Sequence, residues 1–116
     1  MKKEDAYAVA LHEKTIQKFI EEKRPPAHLR DEVDLGYSFD NQVVEIFEIR
    51  ERWDKKSEKV RVPVAKTRWV KSKNLWKIYW MRGSGKWELY KPKEEVKNLA
   101  EVFRVISEDK HGCFWG

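Results

Sequence analysis

Residues 67–90, TRWVKSKNLWKIYWMRGSGKWELY, hold four of the chain's six tryptophans, with lysine or arginine between them at short intervals. Lys73-Asn74 and Gly83-Ser84 read as two tight turns joining three strands, 60–71, 75–81 and 86–90. With two-residue turns, Trp80 faces Trp87, Ile78 faces both Leu89 and Trp69, and Trp76 joins the same face. The other face then collects Lys66, Arg68, Lys77, Tyr79, Lys86 and Glu88. A slip of one residue at either turn would scramble that segregation, because side chains alternate with a period of two. The stretch predicts a β-meander with an aromatic core face and a charged outer face.

The strand over 60–71 contains Pro63, which cannot donate to a ladder, so an edge position or a bulge is expected there. Upstream, 33–39 and 43–50 form a hairpin turning at Asp40-Asn41 or Asn41-Gln42, residues that tolerate positive φ. Either register puts Val44 and Ile46 with Leu35, Tyr37 and Phe39 on the core face. The opposite face offers Val43, Glu45, Phe47 and Ile49, apolar enough that a helix or the C-terminal tail is expected to cover part of it. Residues 53–59 are a polar connection. Residues 3–23 read as an amphipathic helix with Val9, Ile16 and Ile20 in its stripe and Phe19 and His12 at the edge. Pro25-Pro26 ends it. Pro92 with Glu94-Glu95 reads as the start of a second helix, whose stripe is Val96, Leu99, Phe103 and Ile106. The fold class is α+β: N-terminal helix, five-stranded antiparallel meander, C-terminal helix. The core is expected to be Trp69, Trp76, Ile78, Trp80, Trp87 and Leu89, with the terminal Phe114-Trp115 docked.

The 116 residues suit a single domain, 1–116, and the 41% apolar content can fill a core. Charged residues at 39% favour a thin, two-layer domain with much surface. A single cysteine, Cys113, argues against a disulfide-stapled secreted scaffold. No run is apolar and long enough to span a bilayer, and Glu4, Asp5 and Glu13 interrupt any signal-peptide core. A cytoplasmic protein without a membrane partner is the expectation. Net charge is +5, but residues 59–93 carry 11 basic side chains against one acid, +10 locally, which leaves −5 for the remainder. So concentrated a charge attracts anions, nucleic acid above all.

Cations along a backbone, with aromatic rings that stack on bases, are how single-stranded RNA or DNA is held. Lys66, Arg68, Lys77 and Lys86 are the candidate cations, and Tyr79 with Tyr90 the candidate rings. The same residues also suit a solvated sheet face whose charges discourage edge pairing. A divergent metal-dependent nuclease is the weaker alternative, with Asp34 and Glu48-Ile49-Arg50 as a loose analogue of an Asp and Glu-x-Lys site. Arginine in the lysine place weakens it, since arginine stays protonated. Otherwise Glu48 and Arg50 are strand-end ion-pairing residues. His111 and Cys113 are two ligands where a structural zinc needs four, and no phosphate loop or nucleophile elbow is present. No cofactor and no metal are expected, and the chain is read as a non-enzymatic binding module. A third class is protein interaction or homo-oligomerisation through Phe47, Ile49 and the Phe114-Trp115 terminus.

Glu48-Ile49-Arg50 with Trp53 following, Pro63-Val64-Ala65-Lys66, Trp76-Lys77-Ile78-Tyr79-Trp80 before Lys86-Trp87, and Gly112-Cys113-Phe114-Trp115-Gly116 together form a specific pattern. In these motifs the chain resembles an uncharacterised bacterial family, a domain of unknown function of the DUF3024 type. The resemblance spans most of the chain from the first hairpin onward. It departs at Glu51, where the family pattern favours proline, a difference confined to the strand exit. The resemblance implies no activity.

Overall fold

A sheet of six strands carries two helices on one face. The computed structural model describes residues 6–115. Helix α1 (Ala6–Lys23) is followed by β1 (Val33–Asp40), β2 (Val43–Glu51), β3 (Lys59–Val70), β4 (Leu75–Met81), β5 (Trp87–Leu89), β6 (Glu95–Val96) and α2 (Leu99–Glu108). The first five strands follow one another as an antiparallel meander, and β6 pairs with β4. Residues 3–5 of the expected first helix lie outside the described residues. The α+β architecture matches the sequence reading, with one strand added.

The first hairpin turns at Asn41 and Gln42, with φ of 51° and 66°, so Asp40 pairs with Val43. Two positive φ values in a two-residue loop match the right-handed twist of the strands they join. That register sets Leu35, Tyr37 and Phe39 on the face of Ile46 and Val44, and Leu35, Val44 and Ile46 are buried. In β3 the register shifts: Ile46 pairs with Ala65 but Phe47 with Pro63, leaving Val64 as the extra residue of a bulge. Val64 and Ala65 are both buried. Pairing with β4 begins only at Ala65, so residues 59–64 form an edge on that side. Pro63 therefore sits at an edge and beside a bulge.

Between β4 and β5 the structure corrects the expected register. Arg82 N–H donates to Lys86 O at 2.9 Å and Gly85 N–H to Arg82 O at 2.9 Å, with Gly85 at φ 86°. The loop is the three residues Gly83-Ser84-Gly85, closed by a left-handed glycine, not the two residues Gly83-Ser84. The extra residue moves β5 by one position, so Met81 pairs with Trp87, Trp80 with Glu88 and Tyr79 with Leu89. Trp87 and Leu89 leave the core face for the outer one, and Lys86 and Glu88 move the opposite way. The other turn is corrected as well: Val70 pairs with Leu75, so the loop is the four residues 71–74 and not Lys73-Asn74 alone. Lys73 N–H donates to Val70 O to close it, with Asn74 at φ 55°. Ile78 therefore faces Thr67 and Trp69 faces Trp76, a shift of two positions that leaves the faces unchanged.

The second helix also differs from expectation. Lys91–Lys93 form a single 3-10 turn around Pro92, and Glu95–Val96 are strand. The far edge of β4, left unpaired by β3, explains this. β5 covers Tyr79 to Met81, β6 covers Trp76 and Lys77, and Ile78 bonds to both flanks through Tyr90 N–H to Ile78 O and Ile78 N–H to Glu94 O. A buried strand edge needs its polar groups paired, and the chain from 90 to 96 supplies the partners. Helix α2 starts at the Asn98 cap, whose Oδ1 accepts from Glu101 N–H at 2.9 Å while its amide donates to the Glu101 carboxylate at 3.0 Å.

Both helices pack on the inner face. Ile16, Phe19 and Ile20 of α1 meet Leu99, Val102, Phe103 and Ile106 of α2 over Val44, Ile46, Trp76 and Ile78, and Phe19 stacks on Phe103 at 4.5 Å. Tyr90, expected as a stacking ring for bases, is instead buried to 2% exposure against Phe114, whose ring lies 4.8 Å away. The tail is held by Asp109: its carboxylate accepts from Phe114 N–H at 3.1 Å and Trp115 N–H at 2.9 Å.

Candidate nucleic-acid interface

Among the described residues no helix lies over the outer face of the sheet, and its cross-strand rows follow from the register. One row runs Ser38, Glu45, Lys66, Tyr79, Leu89, and the next Asp40, Val43, Arg68, Lys77, Glu95. The bulge at Val64 sets this up, because it returns Lys66 and Arg68 to the outer face while Ala65 and Thr67 stay inside.

Of the five expected site residues, Lys66, Arg68, Lys77 and Tyr79 are brought together on this face. Lys86 is not. It lies in the loop outside β5, and strand alternation sets it on the side of Trp80 and Glu88. Trp87 takes its place as a residue the sequence reading missed. The Lys66 ammonium sits 4.7 Å from the centre of the Tyr79 ring and 5.3 Å from that of Trp87, held between two π faces. The Gly-Ser-Gly loop was the signal that could have found Trp87, since a second glycine fits a three-residue turn.

Arg68 and Lys77 are directly opposite each other. Among the described residues, neither has a carboxylate within 4.0 Å. Like charges placed directly across antiparallel strands destabilise the pair. The face is not uniformly basic: Glu45 stands across from Lys66 and Glu95 across from Lys77, so the positive ground is a strip bordered by acids. Further along, Arg61 lies over the Phe47 ring at 4.4 Å, and that ring is buried. The cover expected there from a helix or the tail is instead a guanidinium from the neighbouring strand.

The alternative metal site does not assemble. Asp34 is paired with Ile49 on the outer face, whereas Glu48, opposite Leu35, points to the inner one. Arg24 grips Asp34 through Nε to Oδ1 at 3.0 Å and Nη2 to Oδ2 at 2.8 Å. That contact, with the Leu35 amide, holds the Asp34 carboxyl below the usual carboxylate range. Glu48 accepts from Arg50 Nε at 2.8 Å, a local ion pair on one strand. Among the described residues no group of three His, Cys, Asp or Glu side chains is placed to hold a metal ion. Cys113 packs against the core, and burial pushes its thiol above the ordinary range. His12 stands edge-on to Trp76 at 5.2 Å and Phe39 at 6.2 Å as a packed residue.

Among the described residues Trp53 is the most exposed large apolar side chain, at 94%. It sits in a β2–β3 loop braced by Arg52, which binds Asp54 at 2.6 Å and Glu58 at 3.2 Å. No helix among the described residues is long and apolar enough to cross a membrane.

These features define an α+β domain with one helix-covered sheet face and one open, mixed-charge face. The chain belongs to the family described as a domain of unknown function, DUF3024, whose model matches residues 5–116. No curated protein and no solved structure matches it.

Proposed function

We propose that the protein is a non-enzymatic binding module that takes single-stranded RNA or DNA on the outer face of its sheet. The observation that carries this reading is the Arg68–Lys77 pair, two cations set across one rung with no carboxylate of the described residues in contact, beside a lysine lying over two rings. A phosphate between Arg68 and Lys77 relieves their repulsion, and the Tyr79 and Trp87 rings offer stacking surfaces once Lys66 swings to the backbone. With about three or four phosphates neutralised, log affinity falls against log salt with a slope of about −2 to −3, at about −0.7 per contact.

Anisotropy titration of labelled oligonucleotides at several salt concentrations tests it. Lys77→Ala lowers the slope by about 0.7 without altering sequence preference. Tyr79→Ala and Trp87→Ala each cost about 1–3 kcal/mol. Lys86→Ala leaves binding nearly unchanged, because its side chain is off the face. No binding at low salt, or binding indifferent to Lys77 and both rings, overturns the reading. A protein-docking module is the second reading, and Trp53 on its braced loop is what favours it. A pull-down that depends on Trp53 and not on Lys77 would select that reading.

A further inference from the structure

A cleft of about 710 Å³ opens where the two layers part, between the first half of α1 and the tip of the first hairpin. Helix α1 is anchored by Ile16, Phe19 and Ile20 in its second half, whereas Ala8, Val9, His12 and Glu13 are only half-buried. Phe39, Trp69 and Trp76 form the aromatic wall and floor, with the two tryptophan rings 5.4 Å apart and tilted by 54°. His12, edge-on to Trp76, closes one side. The size and composition are those of small-molecule sites, which are mostly apolar with a few polar groups.

Among the described residues, the lining carries the Glu13 carboxylate, Asp40 borders it at the hairpin tip, and no lysine or arginine contributes. An anion is repelled by the Glu13 carboxylate and by the negative faces of the rings. A neutral apolar ligand strips water from Glu13 with nothing in return. An organic cation satisfies both features, since aromatic faces attract ammonium groups and the carboxylate balances the charge. We infer that this cleft is a binding site for a methylated or quaternary ammonium group, held against Trp69 and Phe39 and neutralised by Glu13. The site lies between sheet and helix, away from the outer face, and stands independently of nucleic-acid binding.

The test is an NMR titration of the isotope-labelled protein, following the tryptophan indole N–H signals, with Trp69→Phe to assign Trp69. Choline and its neutral carbon isostere, 3,3-dimethylbutanol, are the probes, as they differ in charge and hardly in shape. Choline is expected to shift the Trp69 signal saturably, and the isostere to bind about tenfold more weakly, a 1.4 kcal/mol difference. Glu13→Gln is expected to weaken choline binding several-fold and leave the isostere unaffected, while Trp69→Phe weakens both. Glu13 is a half-exposed helix residue and glutamine is a good helix former, so the folded spectrum is retained. Equal binding of the two probes, indifference of choline to Glu13→Gln, or no saturable shift at millimolar choline overturns the assignment.

Discussion

Asp34 shows how a residue's role changes between sequence and structure. In the sequence it is one carboxylate of a loose nuclease-like pair. In the fold it ties the end of α1 to the first strand through Arg24, the largest cause of its depressed pKa, against the opposing effect of burial. Arg24 lies ten residues away beyond two prolines, so the pairing is tertiary and no local pattern announces it. A carboxyl whose folded pKa lies below its unfolded value of about 3.9 stabilises the fold above that value. The contribution disappears as pH falls through the folded pKa. Asp34→Asn should therefore lower stability at pH 7 by about 1 kcal/mol, since the pair is partly exposed. Thermal melts should show the gap between variant and parent closing as pH falls below the ordinary carboxylate range and through the depressed folded pKa. A gap that persists at acid pH would mean the carboxylate acts by shape, not charge. Gly36 is a second residue whose reason lies across the strand: a Cβ there would stand 2.8 Å from Phe47 Cε1, so the glycine makes room for the ring that Arg61 covers.

At the scale of elements, hydrophobic periodicity located both helices and the five meander strands, because alternation and helical stripes are local. The errors came from what a neighbour requires. Pro92 and Glu94-Glu95 resemble a helix start, but the edge of β4 needed covering and took 95–96 as strand. Asn98, which the sequence reading did not single out, caps the helix by accepting from Glu101 N–H, and that contact marks where the helix begins. The single-residue difference in the Gly83-Ser84-Gly85 loop exchanged two aliphatic and aromatic residues for two charged ones across the faces of β5, and with them one member of the candidate site. Gly85 is where this register is fixed. Alanine in its left-handed conformation is strained, so Gly85→Ala should destabilise the domain by about 1–2 kcal/mol. Denaturant unfolding measures it. Because nothing lies within 4 Å of a Cβ built there, backbone strain alone accounts for the cost. An unchanged midpoint would indicate that the loop tolerates another turn type, and that the position of Trp87 is not held by it.

For the molecule as a whole, the C-terminal tail joins sheet, helix and terminus into one packing unit. Asp109 adopts a left-handed conformation at the end of α2, with φ 40°, and turns the chain back over the helix. Its carboxylate then accepts two tail amides, Phe114 closes over Tyr90, and Trp115 Nε1 donates to Ile106 O at 2.9 Å while its ring stays 37% exposed. Sequence reasoning anticipated docking from the area two aromatics would expose, but the fastening by Asp109 is a tertiary device. Burial raises the Tyr90 and Cys113 pKa values, so the stability these neutral groups contribute is present below their unfolded values and lost as pH rises through the folded ones. Truncation after Gly112 removes the buried Phe114 ring and the hydrogen bonds that Phe114 and Trp115 make to Asp109 and Ile106, and uncovers Tyr90. Removing a buried phenylalanine costs about 3–5 kcal/mol. For a domain of this size about 4 °C accompanies each kcal/mol, so the melting temperature should fall by about 10 °C or more. Phe114→Ala should account for most of that loss and Trp115→Ala for much less, since only the first is buried. An unchanged melting curve for the truncation would mean that the tail is not part of the folding unit and is free to engage a partner.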